Sequence, residues 1–254
     1  MILRYIALRA EYGLYDDAFF HVFMDNVRFI SNYLSRRIRS YHVETDGTFN
    51  MLSVSITPLT DSCQLESENV LAVKVYLNKD SMDKYMEMKD EIKRFEFYLS
   101  ILEKGYIIAS RNKNIPLEIL LNLHQEFRLG GYRNEKLFKT KLIKEYGIKL
   151  KLLHVLSSYD YRLIMYVYNL KNVLIGEGTI YQTLPDEILF DKNVRNLEMD
   201  NNNLIVTDFL NHPQFVCSLE DLRKGIVKSE CVDEHTREYI PNEKNAADFE
   251  RLKW

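Results

Sequence analysis

The spacing of hydrophobic residues changes along the chain, and this change constrains the fold more than any other feature. Residues 16–40 repeat apolar side chains every three or four positions, which indicates a helix with one buried stripe. Residues 2–8, 49–57 and 70–77 show short apolar runs or partial alternation, which indicate strands. A second helical stripe runs from residue 80 to about residue 103. This order predicts an N-terminal β-α-β-β-α unit.

Turn-forming residues set the expected boundaries within this first half. Residues 45–48 suit the turn of a hairpin that joins 41–44 to 49–57. The polar residues 61–68 are expected to form a loop. Gly105 is placed to end the second helix, and residues 106–109 then form a short strand. That strand would complete a split β-α-β arrangement.

The second half begins with a predicted central helical pair and continues as strands. The pair comprises a helix that starts at Pro116 and a helix over residues 134–147. Residues 148–156 and 161–170 then form two strands, and residues 200–203 form the turn of a further hairpin. The fold class is therefore α+β with a mostly antiparallel, β-rich second half. The predicted domains are 1–112 and 113–254.

Glycine and proline are rare, with 9 and 5 residues respectively among 254. Phosphate-binding loops and the nucleophile elbow of many hydrolases need glycines at fixed spacing. The only Gly-x-Gly, at Gly176 and Gly178, lies between predicted strands, where it indicates a hairpin or a bulge. The shortage argues against the glycine-dependent enzyme classes.

The three cysteines are odd in number and widely spaced, which indicates free thiols in a reducing compartment. The first residues lack the apolar core of a signal peptide, and no apolar stretch is long enough to span a membrane. We therefore expect a cytoplasmic protein that does not bind a membrane. Cys217, Cys231 and His235 have an incomplete zinc-ligand spacing, so a metal is not expected. A cofactor is not expected either.

Charge is unevenly distributed along the chain. Residues 126–151 contain eight basic and three acidic side chains, but the whole chain has a net charge of −3, so nucleic-acid binding is not expected. Residues 183–254 contain 15 acidic and 9 basic side chains. An acidic surface selects a basic partner and raises its encounter rate.

Tyrosine is abundant, with 17 residues, and four tyrosines cluster around the hairpin of residues 148–170. Tyrosine is enriched in protein interfaces because it combines an apolar ring with a polar tip. Alternation places Arg162, Tyr166 and Tyr168 on one face of a strand and Tyr161, Leu163 and Met165 on the other. The predicted partner-binding residues are Tyr159, Arg162, Tyr166, Tyr168, Asp186, Glu187 and Asp191.

These observations favour a soluble, non-enzymatic protein that binds another protein. The more specific hypothesis is that the protein is an immunity-type antidote, which blocks a basic toxin domain. No catalytic residue is assigned. One alternative is a hydrolase or nuclease that uses dispersed carboxylates and a histidine, such as His154 or His21. Another alternative is a structural or accessory subunit.

Overall fold

The computed structural model describes residues 1–66, 69–232 and 239–241. The chain divides into two compact units, Met1–Asn134 and Glu135–Trp254. The predicted α+β class is confirmed, since 36% of the chain is helical and 37% is strand, with central helices followed by antiparallel sheets. The predicted domains, 1–112 and 113–254, place the helix Leu117–Leu129 in the second domain, whereas this helix lies within the first unit. The domain boundary stays a prediction. Among the described residues, no helix combines the length and the apolar character needed to cross a membrane.

A four-stranded sheet forms the centre of the first unit. Its strands lie in the order β1 (Tyr5–Ala10), β2 (Met51–Thr57), β4 (Val70–Tyr76) and β3 (Ser62–Glu66). Both β1 and β4 run parallel to β2, whereas β3 runs antiparallel to β4. The predicted hairpin of residues 41–44 and 49–57 is therefore wrong, because β2 pairs with two parallel strands. Strand β3 also occupies part of the predicted polar loop.

Helix α1 (Asp17–Tyr41) connects β1 to β2 and covers the outer edge of β1. The Ser35 hydroxyl accepts a hydrogen bond from the Ile6 N–H at 2.9 Å and donates one to the Ile6 carbonyl at 3.0 Å. The Ser31 hydroxyl accepts from the Leu8 N–H at 3.0 Å. Because β1 has a neighbouring strand on one side only, these serines satisfy backbone groups that would otherwise be buried without partners.

The helix predicted over residues 80–103 is two helices, α2 (Lys79–Glu87) and α3 (Glu91–Asn112). Helix α3 continues through residues 106–109, so the short strand predicted there is wrong. Gly105 lies inside α3 rather than at its end. A Cβ at Gly105 would lie 2.7 Å from Val54 Cγ1, so glycine allows the helix to approach β2 closely.

Helix α4 (Leu117–Leu129) packs against α1 and α3 and completes the core of the first unit. The ring of Phe127 is fully buried, and its centroid lies 4.7 Å from that of Tyr33 and 5.9 Å from that of Phe29. Asn134 does not begin a second helix. Its amide donates to the Phe29 carbonyl at 2.8 Å, which ties the end of the unit to α1.

The helix predicted over residues 134–147 is wrong. These residues form strand β5 (Asn134–Ile143) and a 3-10 turn (Lys144–Tyr146). Strand β5 is the first strand of a sheet with the order β5, β6 (Ile148–Leu156), β7 (Tyr161–Asn169) and β8 (Leu174–Thr183). Short turns set the antiparallel register of β6, β7 and β8. Strand β5 contains residues that are also compatible with a helix, but pairing with β6 holds it extended.

The second unit contains another antiparallel sheet, which begins after helix α5 (Glu187–Asn193). Its strands, in chain order, are β9 (Asn196–Asp200), β10 (Asn203–Thr207), β11 (Pro213–Ser218), β12 (Glu230–Val232) and β13 (Tyr239–Pro241). The predicted hairpin turn at residues 200–203 is confirmed, because Asp200 pairs with Asn203. The short helix α6 (Leu219–Arg223) separates β11 from β12.

Gly176 and Gly178 serve close packing within β8. A Cβ at Gly176 would lie 2.1 Å from the carbonyl oxygen of Gly225, and a Cβ at Gly178 would lie 2.8 Å from Val227 Cβ. The segment after α6 therefore crosses β8 in direct contact with its backbone. The two glycines lie inside β8 rather than between two strands, and close approach explains both glycines.

Candidate binding surface

The predicted alternation along β7 is confirmed. Tyr161, Leu163, Met165 and Val167 are buried, whereas Arg162, Ile164, Tyr166 and Tyr168 are only partly buried. We call the side of β6, β7 and β8 that carries Arg162, Tyr166 and Tyr168 the tyrosine face. The sequence-predicted residues on β7 are therefore brought together on one surface.

Cross-strand pairing defines the neighbours of the two central tyrosines. Tyr166 lies between Lys151 on β6 and Glu177 on β8, and Tyr168 lies between Lys149 and Leu174. Residues directly opposite one another on a sheet share a face. The tyrosine face thus presents two aromatic rings beside two lysines.

The Tyr166 hydroxyl stays protonated over the physiological pH range. Partial burial raises the pKa of Tyr166, and the carboxylates of Glu177 and Glu135 raise it further. A protonated tyrosine hydroxyl can both donate and accept hydrogen bonds. The face can therefore offer polar contacts as well as apolar area.

Tyr159 lies in the turn between β6 and β7 and is 52% exposed. The Ser157 hydroxyl donates to Asp160 Oδ1 at 2.6 Å and holds this turn. Asp160 Oδ2 accepts from the Gln182 amide at 2.8 Å and lies 3.4 Å from Arg162 Nε. The charge of Arg162 is therefore partly offset within the protein.

The three predicted acidic residues do not join the tyrosine face. Glu187 and Asp191 lie on α5, and Asp186 immediately precedes it. This helix packs through Phe190, whose ring stacks on that of Tyr161 with centroids 3.9 Å apart. Because Tyr161 points to the opposite side of β7, the acidic residues and the tyrosine face belong to different surfaces of the second unit.

His154 is a partly buried residue with a hydrogen-bond partner. Its Nδ1 lies 2.6 Å from the Tyr161 hydroxyl, and its ring contacts Phe138. Burial, with a smaller contribution from Lys136, lowers the pKa of His154 to about 4. His21 instead is exposed on α1. Within the described part of the chain, neither histidine gives the hydrolase or nuclease hypothesis a hydrogen-bonded histidine–carboxylate pair.

The structure contains a buried histidine–carboxylate pair that the sequence did not indicate. His124 on α4 is fully buried, with Nδ1 3.2 Å from Glu103 Oε1 and Nε2 3.4 Å from the Tyr106 hydroxyl. Arg128 joins the group through Glu103 at 3.3 Å and Glu96 at 2.8 Å. His124 is inaccessible to a substrate. The network stabilises the packing of α3 against α4, because its carboxylates lie on α3 and its histidine and arginine lie on α4. No local spacing in the sequence indicates this pair, because Glu103 and His124 lie on different helices.

Two of the three residues with the incomplete zinc-ligand spacing, Cys217 and Cys231, are buried. Burial raises the pKa of Cys217 to about 12, so this thiol is protonated. Cys231 pairs with Phe215 across β11 and β12. His235 lies outside the described residues. Within the described ranges, no group of three or more His, Cys, Asp or Glu side chains could hold a metal ion.

Comparison of the chain with protein-family models, with curated proteins and with solved structures found no match. Function is therefore inferred from the surfaces of the chain itself.

Proposed function

We propose that this protein acts by binding another protein through the tyrosine face. The supporting observation is the pairing of Tyr166 and Tyr168 with Lys151 and Lys149 across adjacent strands. A rigid sheet fixes the positions of the two rings, so little side-chain entropy is lost when a partner covers them. Leu174, which is 45% exposed beside Tyr168, adds apolar area to the same surface.

The charges of the tyrosine face indicate the kind of partner. Lys149, Lys151 and Arg162 are basic, and Glu177 is the acidic residue opposite Tyr166. A partner with an acidic patch would complement this surface, and its association rate would fall as ionic strength rises.

The more specific hypothesis is an immunity-type antidote that blocks a basic toxin domain in the cytoplasm. The free thiols of Cys63 and Cys217 are compatible with a reducing compartment. The three basic side chains of the tyrosine face outnumber Glu177, so this face does not favour a basic toxin. A basic partner would need the acidic residues of α5 instead.

The proposal can be tested with a photocrosslinking residue placed at Tyr168 in the full chain, in the cells that produce the protein. The partner that is crosslinked is then purified, and its Kd is measured for Tyr166→Ala and Tyr168→Ala. We expect each substitution to weaken binding by about tenfold or more, because central aromatic residues dominate interfaces.

Tyr12→Ala is the matched control, because Tyr12 is 85% exposed in the first unit and should not affect the Kd. The proposal is wrong if crosslinking at position 168 does not exceed crosslinking at position 12. It is also wrong if the double variant of Tyr166 and Tyr168 binds the partner with unchanged affinity.

A further inference from the structure

The central strand of the first sheet has a polar side that is buried. Val54 on β2 faces α3. Alternation therefore directs Ser53, Ser55 and Thr57 to the opposite side of the sheet. Their exposed fractions are 0%, 3% and 0%. Buried strands of parallel sheets are usually apolar on both sides, so three buried hydroxyl residues along one side of β2 require an explanation.

Ser53 stands out because its hydroxyl lacks a hydrogen-bond partner within the described residues. A buried hydroxyl without a partner is unfavourable unless a ligand or another polar group satisfies it. Ser53 lies directly opposite Ala7 on β1 and Ala72 on β4. These three small side chains form a stripe across the sheet, which we call the Ser53 trough. The unpartnered hydroxyl lies at the centre of this trough.

Two cationic side chains border the Ser53 trough. Arg9 on β1 and Lys74 on β4 both lie directly opposite Ser55, which is two residues along β2 from Ser53. Because neighbouring strands are about 4.8 Å apart, the two cations start from backbone positions about 10 Å apart on the same side of the sheet. Arginine, lysine and serine all donate hydrogen bonds to phosphate oxygens. This combination around an unpartnered hydroxyl indicates a site for a phosphate group.

Both cations contact carboxylates, and the two ion pairs differ in exposure. Lys74 Nζ contacts the Glu11 carboxylate, with both side chains less than a third exposed. Arg9 Nη2 lies 3.8 Å from Glu66 Oε2, and these side chains are 43% and 39% exposed. Because Arg9 is on β1 and Glu66 is on β3, their ion pair spans the two central strands. An exposed pair at this distance is weak, so Arg9 can exchange Glu66 for another anion.

We propose that the Ser53 trough binds the phosphate group of a small molecule. The phosphate replaces the Glu66 carboxylate at Arg9 and accepts a hydrogen bond from the Ser53 hydroxyl. The Lys74 ammonium has three donors, so it can contact Glu11 and the phosphate together. A ligand carboxylate would only repeat the contact that Glu66 already makes, whereas a phosphate brings more charge and a third acceptor oxygen. The site lies in the first unit and does not depend on the tyrosine face.

The experiment is an amide NMR titration of the full chain with inorganic phosphate at constant ionic strength. We expect the amide signals of Arg9, Ser53 and Ser55 to shift together and to saturate. Arg9→Gln should raise the Kd about tenfold or more, because it removes charge-assisted hydrogen bonds. Arg195→Gln is the matched control and should leave the Kd unchanged, because Arg195 lies 3.9 Å from Asp191 in an exposed ion pair of the second unit.

Two further variants separate binding from a structural role. Ser53→Ala should raise the Kd about threefold or more without lowering the free energy of unfolding, because the hydroxyl has no partner within the described residues. Glu66→Gln should lower the Kd about threefold, because it removes the competing carboxylate. Tyr168→Ala should leave this Kd unchanged, so failure of this proposal and failure of the tyrosine-face proposal give different results.

Three outcomes would overturn the proposal. The first is the absence of a saturable shift at Ser53 and Ser55. The second is a phosphate Kd that Arg9→Gln leaves unchanged. The third is acetate that shifts the same signals with the same Kd, which would show that the Ser53 trough does not select a phosphate.

Discussion

At the scale of single residues, burial controls the interior ionisable groups more strongly than neighbouring charges do. Burial is the largest cause of the lowered pKa of both His154 and His124 and of the raised pKa of Cys217. The two histidines are therefore neutral in the folded protein near neutral pH. In the unfolded chain they become protonated below a pH of about 6.5. The contribution of these two histidines to stability is therefore lost as the pH falls below about 6.5.

His154 should account for a measurable part of this pH dependence. Its pKa is about 4 in the folded protein and about 6.5 in the unfolded chain, so its stabilising contribution is lost as the pH falls from 6.5 towards 4. His154→Gln removes the titration and keeps a hydrogen-bonding group near Tyr161. We expect the drop in unfolding free energy between these pH values to shrink by about 2 kcal/mol, after allowance for partial exposure.

Urea denaturation at several pH values measures this effect. His21→Gln, on the exposed surface of α1, is the control and should leave the slope unchanged. An unaltered slope in His154→Gln would show that protonation of His154 does not couple to unfolding.

Gly105→Ala tests the close approach of α3 to β2. The added Cβ would lie 2.7 Å from Val54 Cγ1. We expect a loss of about 1–2 kcal/mol in the free energy of unfolding, because crowding outweighs the better helix propensity of alanine. The double variant with Val54→Ala should cost less than the sum of the single variants, as measured by a double-mutant cycle. Strict additivity would contradict the contact.

At the scale of elements, two edge strands are protected in different ways. Helix α1 covers β1 with the hydroxyls of Ser31 and Ser35, whereas β5 carries Lys136 and Lys139 along an exposed edge. Both devices oppose pairing with another chain, one by supplying hydrogen bonds and the other by charge.

Ser35→Ala should destabilise the protein by about 1–2 kcal/mol, because the buried Ile6 N–H loses its acceptor. Ser40→Ala is the control on the same helix, since the Ser40 hydroxyl bonds to the Arg37 carbonyl at an exposed site. Thermal or chemical denaturation compares the two variants. Equal stabilities for both would mean that the serine does not support the edge of β1.

At the scale of the whole molecule, α4 decides where the first unit ends. Phe127 is fully buried among aromatic rings of α1 and α3, and His124 joins the buried network with Glu103. A fragment of residues 1–112 would expose this part of the core, whereas a fragment of residues 1–134 keeps it.

We expect fragment 1–134 to unfold cooperatively and fragment 1–112 to be less stable by about 3 kcal/mol or more, since losing one large buried aromatic side chain costs that much. Urea titrations followed by circular dichroism compare the two fragments. Equal unfolding free energies would favour the boundary that the sequence predicted at residue 112.

The part of the candidate site that could be predicted from the sequence is the local part. The alternation of Arg162, Tyr166 and Tyr168 depends only on the geometry of one strand, and the structure confirms it. The relation of these residues to Asp191 depends on where α5 packs, which no local pattern contains. His124 was missed for the same reason, because its partner Glu103 lies on another helix.

The sequence by itself determined the α+β class, the stripe of α1, the alternation of β7 and the hairpin turn at residues 200–203. Each of these depends on interactions between residues close in the chain. Only the tertiary structure decided the parallel pairing of β2, the strand conformation of residues 134–143, and the continuation of α3 past Gly105. Long-range packing stabilises those features, and it outweighs the small local preferences that suggested otherwise.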